Sequence, residues 1–301
     1  MTVKSIKWTK QTRYGLILGL LFISPWLINL VALIFYPFFA SIYYSLTYYN
    51  VFQPPNFIGL DNYRTMFLED KLFWISLYNT FYFTVFSIGG GTVLAIAIAM
   101  MLNMSVGFRP VYRTIYYLPT VTPAVANAVL WLWLFNPLYG PINTILKELH
   151  LPAPSWFGDP AWAKPALIIM SFWGLGQAII IYLASLQDVP REMMEAAELD
   201  GANWWQKTAR VTLPLISPVI FFNVVTGLIG SFQYFTEAYV MTQGGPGDAT
   251  LFYGLYLYNS AFRYFKMGYA SALAWILFIV ILLITLLTFR ASRRHVYYSG
   301  G

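Results

Sequence analysis

Charged residues are scarce in this 301-residue chain, at 10% of positions, yet a cluster of them crowds one segment between two long apolar runs. Asp188, Glu192, Glu195, Glu198 and Asp200 stand there with Arg191, Lys207 and Arg210. The cluster has no catalytic company. His150 and His295 are the only histidines and have no metal-ligand spacing, and there is no cysteine for a disulfide or a thiolate site. No G-x-x-x-x-G-K-S/T phosphate loop is present, and no Ser/His/Asp set can be assembled in the apolar runs. The chemistry left to the cluster is recognition, either of a partner or of an aqueous interface.

The local sequence says what could hold these charges in place. Pro190 to Leu199 is rich in good helix formers, with Pro190 suited to the first helical position. Glu192 and Glu195 favour the positive end of the helix dipole. Gly201 stands where a left-handed cap would end the helix, and a Cβ with a charge there, as in Gly201→Asp, would disrupt the turn. Ala202 to Val211 is expected to form a second short helix, with Pro214 starting the next apolar segment. Ala196 and Ala197 carry little bulk, so a partner's backbone could approach closely. An amphipathic loop on lipid headgroups, or a merely solvated one, is the alternative.

The rest of the composition explains why such a loop stands out. The chain is 58% hydrophobic and 19% aromatic, with a mean hydropathy of +0.59, well above a soluble domain. Charge-free windows run over Tyr14–Leu60, Leu72–Phe108, Thr114–Leu146, Pro165–Gln187, Val211–Thr236 and Met267–Phe289. Each exceeds the roughly 20 residues that cross about 30 Å of hydrocarbon, so six transmembrane helices are expected. The positive-inside rule sets the orientation. With the N-terminus inside, 12 of the 18 bases fall on the cytoplasmic side: Lys4, Lys7, Lys10, Arg13, Arg109, Arg113, Arg191, Lys207, Arg210, Arg290, Arg293 and Arg294. Arg64, Lys71, Lys147, Lys164, Arg263 and Lys266 fall outside. Both termini and the charged loop are then cytoplasmic. The net charge of +6 is mostly this bias and calls for no nucleic acid. The basic start precedes an apolar run too long for a signal peptide and without an A-x-A site, so a retained first helix is expected.

The expected helices are Tyr14 to about Tyr36, extending past Pro37; Ile75 to Leu102; one following Arg113; Pro165 to Ser185; Leu213 to Tyr234; and Gly268 to Phe289. The second carries Gly91, Ala95 and Ala99, a small-residue ridge for close helix packing. The third holds Pro119 and Pro123, which predict a kink. The external connections, about Thr47–Phe73 and Asn136–Trp162, are turn-rich, and Trp156, Phe157 and Trp162 suit an interfacial aromatic belt.

Polar groups within the spans need a partner, water or a role. Asn127, Gln177, Asn223, Gln233 and Glu237, interleaved with Trp131, Trp173 and Tyr234, would suit a sugar, with amides bonding hydroxyls and rings stacking on CH faces. Lipid-facing aromatics and amides bonded between helices are the plainer alternative for any one of them. Glu237 is the one carboxylate near the end of the fifth helix. That counts against a secondary carrier, which needs intramembrane charge for ion coupling.

Read as a motif, EAAELDGANWWQKTARVTLP resembles the EAA motif of permease subunits in binding-protein-dependent ABC importers, through Glu195, Ala196, Ala197, Asp200, Gly201, Ala202, Leu213 and Pro214. The IGLDNY stretch at 58–63, MTQGGPGDAT at 241–250 and GYASALAW at 268–275 are similar to the carbohydrate branch, in the maltose and glycerol-phosphate permease style. The resemblance implies an all-α integral membrane protein of the type I ABC importer permease fold, with six transmembrane helices and a cytoplasmic coupling helix. Residues 1–69 would hold a tail, the first helix and an external loop; 70–289 a five-helix core with the coupling loop at 188–211; and 290–301 a second tail. It further implies a second homologous permease, two ATPase subunits that carry ATP and Mg, a solute-binding protein, and a sugar or oligosaccharide cargo. A glycerol-phosphate or polyol cargo is the alternative within the family, and a carrier or scaffold without an ATPase is the alternative outside it. Glu195 would pair with a basic group on the ATPase. No cofactor or metal is expected on this chain.

Overall fold

The structure is a computed structural model that describes residues 9–104 and 107–292. Lys4, Lys7, Arg293, Arg294 and His295 lie outside the described residues. The chain begins with α1 (Lys10–Asn29), a π-helical stretch (Leu30–Phe35) and α2 (Tyr36–Ser45), which form one apolar rod. Pro37 does not end it. Proline lacks an N–H and crowds the carbonyl four residues back, and the wider π turn just before it absorbs both demands. Among the described side chains of α1 none is buried, whereas α2 packs on the last helix.

The connection expected to be a turn-rich loop is partly ordered. β1 (Thr47–Tyr48) pairs antiparallel with β2 (Asn56–Phe57), and α3 (Asp61–Leu68) follows. The amide nitrogen of Asn62 donates to the carbonyls of Ser45 and Thr47 at 2.8 and 2.9 Å, and the Tyr63 hydroxyl donates to Ser45 Oγ at 2.9 Å. The IGLDNY stretch thus clamps the end of α2.

The central rod is α4 (Lys71–Asn103). At 33 residues it is about 50 Å long. Asp70 caps it, its carboxylate accepting from the backbone N–H groups of Leu72 and Phe73 at 2.9 and 3.2 Å. Gly91, Ala95 and Ala99 are buried as the small-residue ridge predicts; a Cβ on Gly91 would come 3.1 Å from Leu175 Cδ2.

The third apolar window is not one kinked helix. α5 (Arg109–Val121) and α6 (Ala124–Leu134) meet at a 104° bend. Pro119 stays inside α5; the break falls at Pro123, which holds Thr122 in an extended conformation (ψ 129°). After α6 comes α7 (Pro141–Glu148). Trp156 does not join an interfacial belt: it is buried, and its Nε1 donates to Asn143 Oδ1 at 2.7 Å. Trp162 remains exposed.

The fourth window starts earlier than expected, because Asp159 caps α8 (Pro160–Trp173) and accepts from Ala161 N at 2.9 Å. It bends by 48° into α9 (Gly176–Gln187). A Cβ on Gly176 would stand 2.2 Å from the Tyr116 carbonyl oxygen, so only glycine allows α5 to lie against α9 here. Next come α10 (Arg191–Leu199), α11 (Trp204–Lys207), a π stretch (Thr208–Thr212), α12 (Leu213–Phe232) and α13 (Thr236–Met241). α14 (Tyr253–Tyr258), a third π stretch (Asn259–Arg263) and α15 (Met267–Ser292) complete the described chain.

Among the described residues, four helices are long and apolar enough to cross a membrane, or up to six if each bent pair is one span. One core cluster, including Phe73, Phe83, Leu167, Phe252 and Tyr253, lies near the Lys71 end of α4. A second, including Ala99, Ile179, Tyr182 and Ile216, lies near the Asn103 end.

Candidate functional site

The charged cluster folds into a knob at the Asn103 end of α4. α10 starts one residue later than expected: Pro190 is extended (ψ 129°) and precedes the first helical residue, and Glu192 lies in the first turn. Gly201 has φ +76° and ends the helix. Its N–H donates to the Glu198 carbonyl at 3.0 Å, and Ala202 N–H donates to the Ala197 carbonyl at 2.9 Å, the paired bonds of a Schellman cap. A reciprocal capping box follows at once. Asn203 Oδ1 accepts from Gln206 N, and Gln206 Oε1 accepts from Asn203 N, both at 2.9 Å.

The expected second short helix is instead the start of the fifth span. The apolar helical stretch runs from Trp204 to Met241, so Leu213 and Pro214 lie within it and do not begin it. The π stretch at Thr208–Thr212 precedes Pro214 as another precedes Pro37, and accommodates the proline in the same way. Lys207 Nζ pairs with Glu198 at 2.5 Å, and Thr212 Oγ1 donates to Met194 Sδ at 3.8 Å. Both contacts tie α10 to that span.

The outward face of the knob is open. Glu195 and Ala196 are exposed and Ala197 is half-buried. The Glu195 side chain makes no hydrogen bond or ion pair with any described residue. Leu199 is 90% and Trp205 74% exposed, an apolar surface that no described residue covers.

The membrane-embedded candidates separate into two groups. Gln177 and Asn223 line one cavity of about 420 Å³ between α4, the α8–α9 bend and α12, together with Gly91, Thr92, Tyr182 and Thr226. That volume lies in the range of small-molecule sites, about 300–1,000 Å³. Asn223 Nδ2 donates to the Val219 carbonyl at 3.0 Å, and the Gln177 side-chain amide has no protein partner among the described residues.

The second group is aromatic. Trp131 meets Trp173 edge-on at 5.8 Å, and Tyr234 stacks on Phe83 at 4.3 Å. Asn127 Oδ1, Trp131 Nε1 and the Tyr234 hydroxyl are buried without a hydrogen-bond partner. Such atoms call for water or a ligand. Glu237 opens α13, which packs against α6, the helix that carries Asn127 and Trp131. Gln233 joins neither group; it is exposed and closes α12 through its backbone.

Thr92, Tyr182 and Thr226 look like ordinary span residues in the sequence, because nothing local marks a side chain that faces a helix bend. The signal for the bend itself was present as Gly174-Leu175-Gly176 within an apolar run. Lys164 counts in the sequence only as an external base and nothing local singles out Asp70, yet each is built into a network. Asp70 caps α4 and also accepts from the hydroxyls of Tyr256 and Tyr269. Burial first, and the carboxylate beside it second, hold the Tyr256 hydroxyl above its ordinary range, which keeps it a donor. Among the described residues no three of His, Asp or Glu come together to hold a metal.

Known proteins share this architecture over nearly its full length. The chain is 39% identical to "Probable ABC transporter permease protein YesP" of Bacillus subtilis over 98% of its length and 97% of that protein's. It is 33% identical to the lactose transport system permease protein LacF of Rhizobium radiobacter, covering 93% of this chain and 96% of LacF. A chain of the crystallised bacterial alginate ABC transporter, in complex with a periplasmic protein that holds an alginate pentasaccharide, superposes with a TM-score of 0.80 at 26% identity. That match covers 94% of this chain and 95% of the other, so the fold is that of the type I importer permeases. Residues 91–296 match the family described as binding-protein-dependent transport system inner membrane component, and the chain belongs to that family.

Proposed function

We propose that this chain is one permease subunit of an ATP-driven importer that carries a sugar or oligosaccharide across the cytoplasmic membrane by alternating access. The observation that carries the reading is the knob at α10: an exposed acidic and apolar surface, closed by a glycine cap and tied by side chains to a membrane span. In this reading Glu195, Ala196, Ala197, Asp200, Gly201 and Ala202 form the surface that enters a groove on the ATPase. Leu213 and Pro214 lie in the span that the surface moves. A displacement of α10 passes through Met194–Thr212 and Glu198–Lys207 into α11 and α12. Asn223 and Thr226 on α12 face Gln177 on α9 across the cavity, so the same displacement changes the cavity's shape.

LacF is named for lactose transport and the solved neighbour is an alginate ABC transporter, which supports a carbohydrate cargo. The neighbour's complex with a periplasmic protein supports delivery by a solute-binding protein. A second homologous permease shares the pathway, two ATPase subunits hold ATP and Mg, and both termini face the cytoplasm. Asn127, Trp131, Trp173, Tyr234 and Glu237 contribute to the substrate path beside the Gln177–Asn223 cavity. The three unpartnered polar atoms at Asn127, Trp131 and Tyr234 are the reason to include that group.

Purification from the native membrane in mild detergent tests the reading. The wild type is expected to bring down an ATPase and a second permease, and Gly201→Val to lose or weaken the ATPase. A wild type that comes down alone, or an ATPase contact indifferent to Gly201→Val, overturns the coupling role.

A further inference from the structure

Lys164 is a charge that the reading above does not use. It lies on α8, five positions after the Asp159 cap. Its Nζ donates to Asn79 Oδ1 at 2.8 Å and stands 5.2 and 5.4 Å from the ring centroids of Tyr78 and Tyr82. Asn79 is 2% exposed. Its amide nitrogen donates to the carbonyls of Asp248 and Leu251 at 2.8 and 3.1 Å, which leaves its oxygen for the lysine. No carboxylate reaches the ammonium; among the described residues the ion pair found is Lys207–Glu198.

An ammonium has three donors, and one is spent on Asn79. A lysine that merely anchors a helix end extends its head away from apolar surface into water. Lys164 does the opposite, folding inward onto a buried amide that two backbone carbonyls hold fixed. The result is a positioned, half-buried cation with donors to spare. Beside it runs a rail of rings along one face of α4. Tyr78 and Tyr82 are 6.2 Å apart, Tyr82 and Phe86 are 4.6 Å apart, and Tyr78 is 62% exposed.

We infer that Lys164, with Tyr78 and Tyr82, forms a specificity-determining subsite for an acidic carbohydrate at the Lys71 end of the bundle. The ammonium pairs with the sugar's acidic group, and the sugar's CH face stacks on the tyrosines. This rests on the proposed import function and names its substrate class: uronate-type or similarly anionic oligosaccharides over neutral ones. A charge-assisted bond to a cation already in place outweighs what a hydroxyl gains by replacing water there.

The test uses the importer purified with its copurifying subunits and its binding protein, reconstituted in proteoliposomes. Initial uptake rates are measured for a panel of neutral oligosaccharides and their uronate counterparts. The wild type is expected to favour the uronates. Lys164→Gln lowers the ratio of acidic to neutral rates about tenfold, as loss of one charge-assisted bond requires, and Lys164→Arg keeps most of it. A defect in folding or assembly would lower both rates and leave the ratio alone. If Lys164→Gln does not assemble, Tyr78→Glu neutralises the site from an exposed position and is expected to lower the same ratio. A wild type that favours neutral sugars, or a ratio unmoved by the substitution, overturns the subsite. An unmoved ratio with both rates tracking the anionic lipid content would make Lys164 a headgroup anchor instead. An importer that takes up no member of the panel overturns the import reading itself.

Discussion

The knob at the Asn103 end of α4 is fixed by short-range contacts: the Schellman cap, the capping box, and two side-chain ties no more than 18 positions apart in sequence. The Lys71 end is fixed by long-range ones. Asn79 reaches Asp248 and Leu251 across 169 and 172 positions, and Asp70 reaches Tyr256 and Tyr269 across 186 and 199. A segment held by itself can move as a unit without unpicking the bundle, which suits the coupling role proposed for it. Buried polar groups shared by α4, α14 and α15 resist separation, because each loses its partner if any one element leaves.

The sharpest break of this contrast is Asp70→Ala. It removes the cap of α4 and leaves two tyrosine hydroxyls without an acceptor, for a combined cost of about 3–4 kcal/mol. The expected outcome is a large fall in the melting temperature of the detergent-purified protein, or no folded protein. Asn79→Ala comes next, at about 2–3 kcal/mol, because two buried carbonyls and Lys164 lose their partner together. Thermal melts that match the wild type in both variants would show that the long-range network does not hold this end.

The contrast also sets what was legible in the sequence. Helix formers, Gly201 and the charge cluster are neighbours in the chain, so the knob could be read locally, and only its boundaries shifted. Pro190 precedes the helix by one residue, and the following helix absorbs Leu213 and Pro214 because a π turn accommodates the proline. The apolar windows likewise gave the spans. The breaks were harder: Pro119 and Pro123 look alike in sequence, and only Pro123 interrupts the helix. Asp70, Asn79 and Lys164 were not legible as a network at all, since their partners are fixed by tertiary packing. Trp156 went wrong for the same reason, its indole being claimed by Asn143 and not by an interface.

Gly201 sharpens the comparison at the other end. Nothing lies within 4 Å of where its Cβ would stand, so the constraint is the backbone's φ of +76° and not crowding. Asn and Asp tolerate that region better than other side chains, which makes Gly201→Asp a milder lesion than its charge suggests, and a β-branched residue the stronger one. A graded series is expected: Gly201→Asn keeps most ATPase association, Gly201→Ala loses some, and Gly201→Val loses most. The local cost for Val is about 1–2 kcal/mol. The melting temperature of the bundle is expected to stay nearly constant across the series. A melting temperature that falls in step with ATPase association would mean that the knob is not independent of the bundle.

The smallest effect belongs to the tie between Lys207 and Glu198. The pair is close, at 2.5 Å, but the Glu198 side chain is 60% exposed, so solvent screens it. Its loss in Glu198→Gln is expected to cost no more than about 0.5 kcal/mol and to leave the melting temperature within error. Its mechanical role is separable from that energy. If the pair transmits motion from α10 to α11, Glu198→Gln lowers transport per ATP hydrolysed while the ATPase still copurifies in full. The Met194–Thr212 contact remains in that variant, so the loss is expected to be partial. Charge reversal at both positions, Glu198→Lys with Lys207→Glu, would restore a pair of the same reach and recover the lost coupling. Failure of the double variant to recover it, with ATPase association intact, would remove the ion pair from the lever and leave the Thr212–Met194 hydrogen bond to carry it.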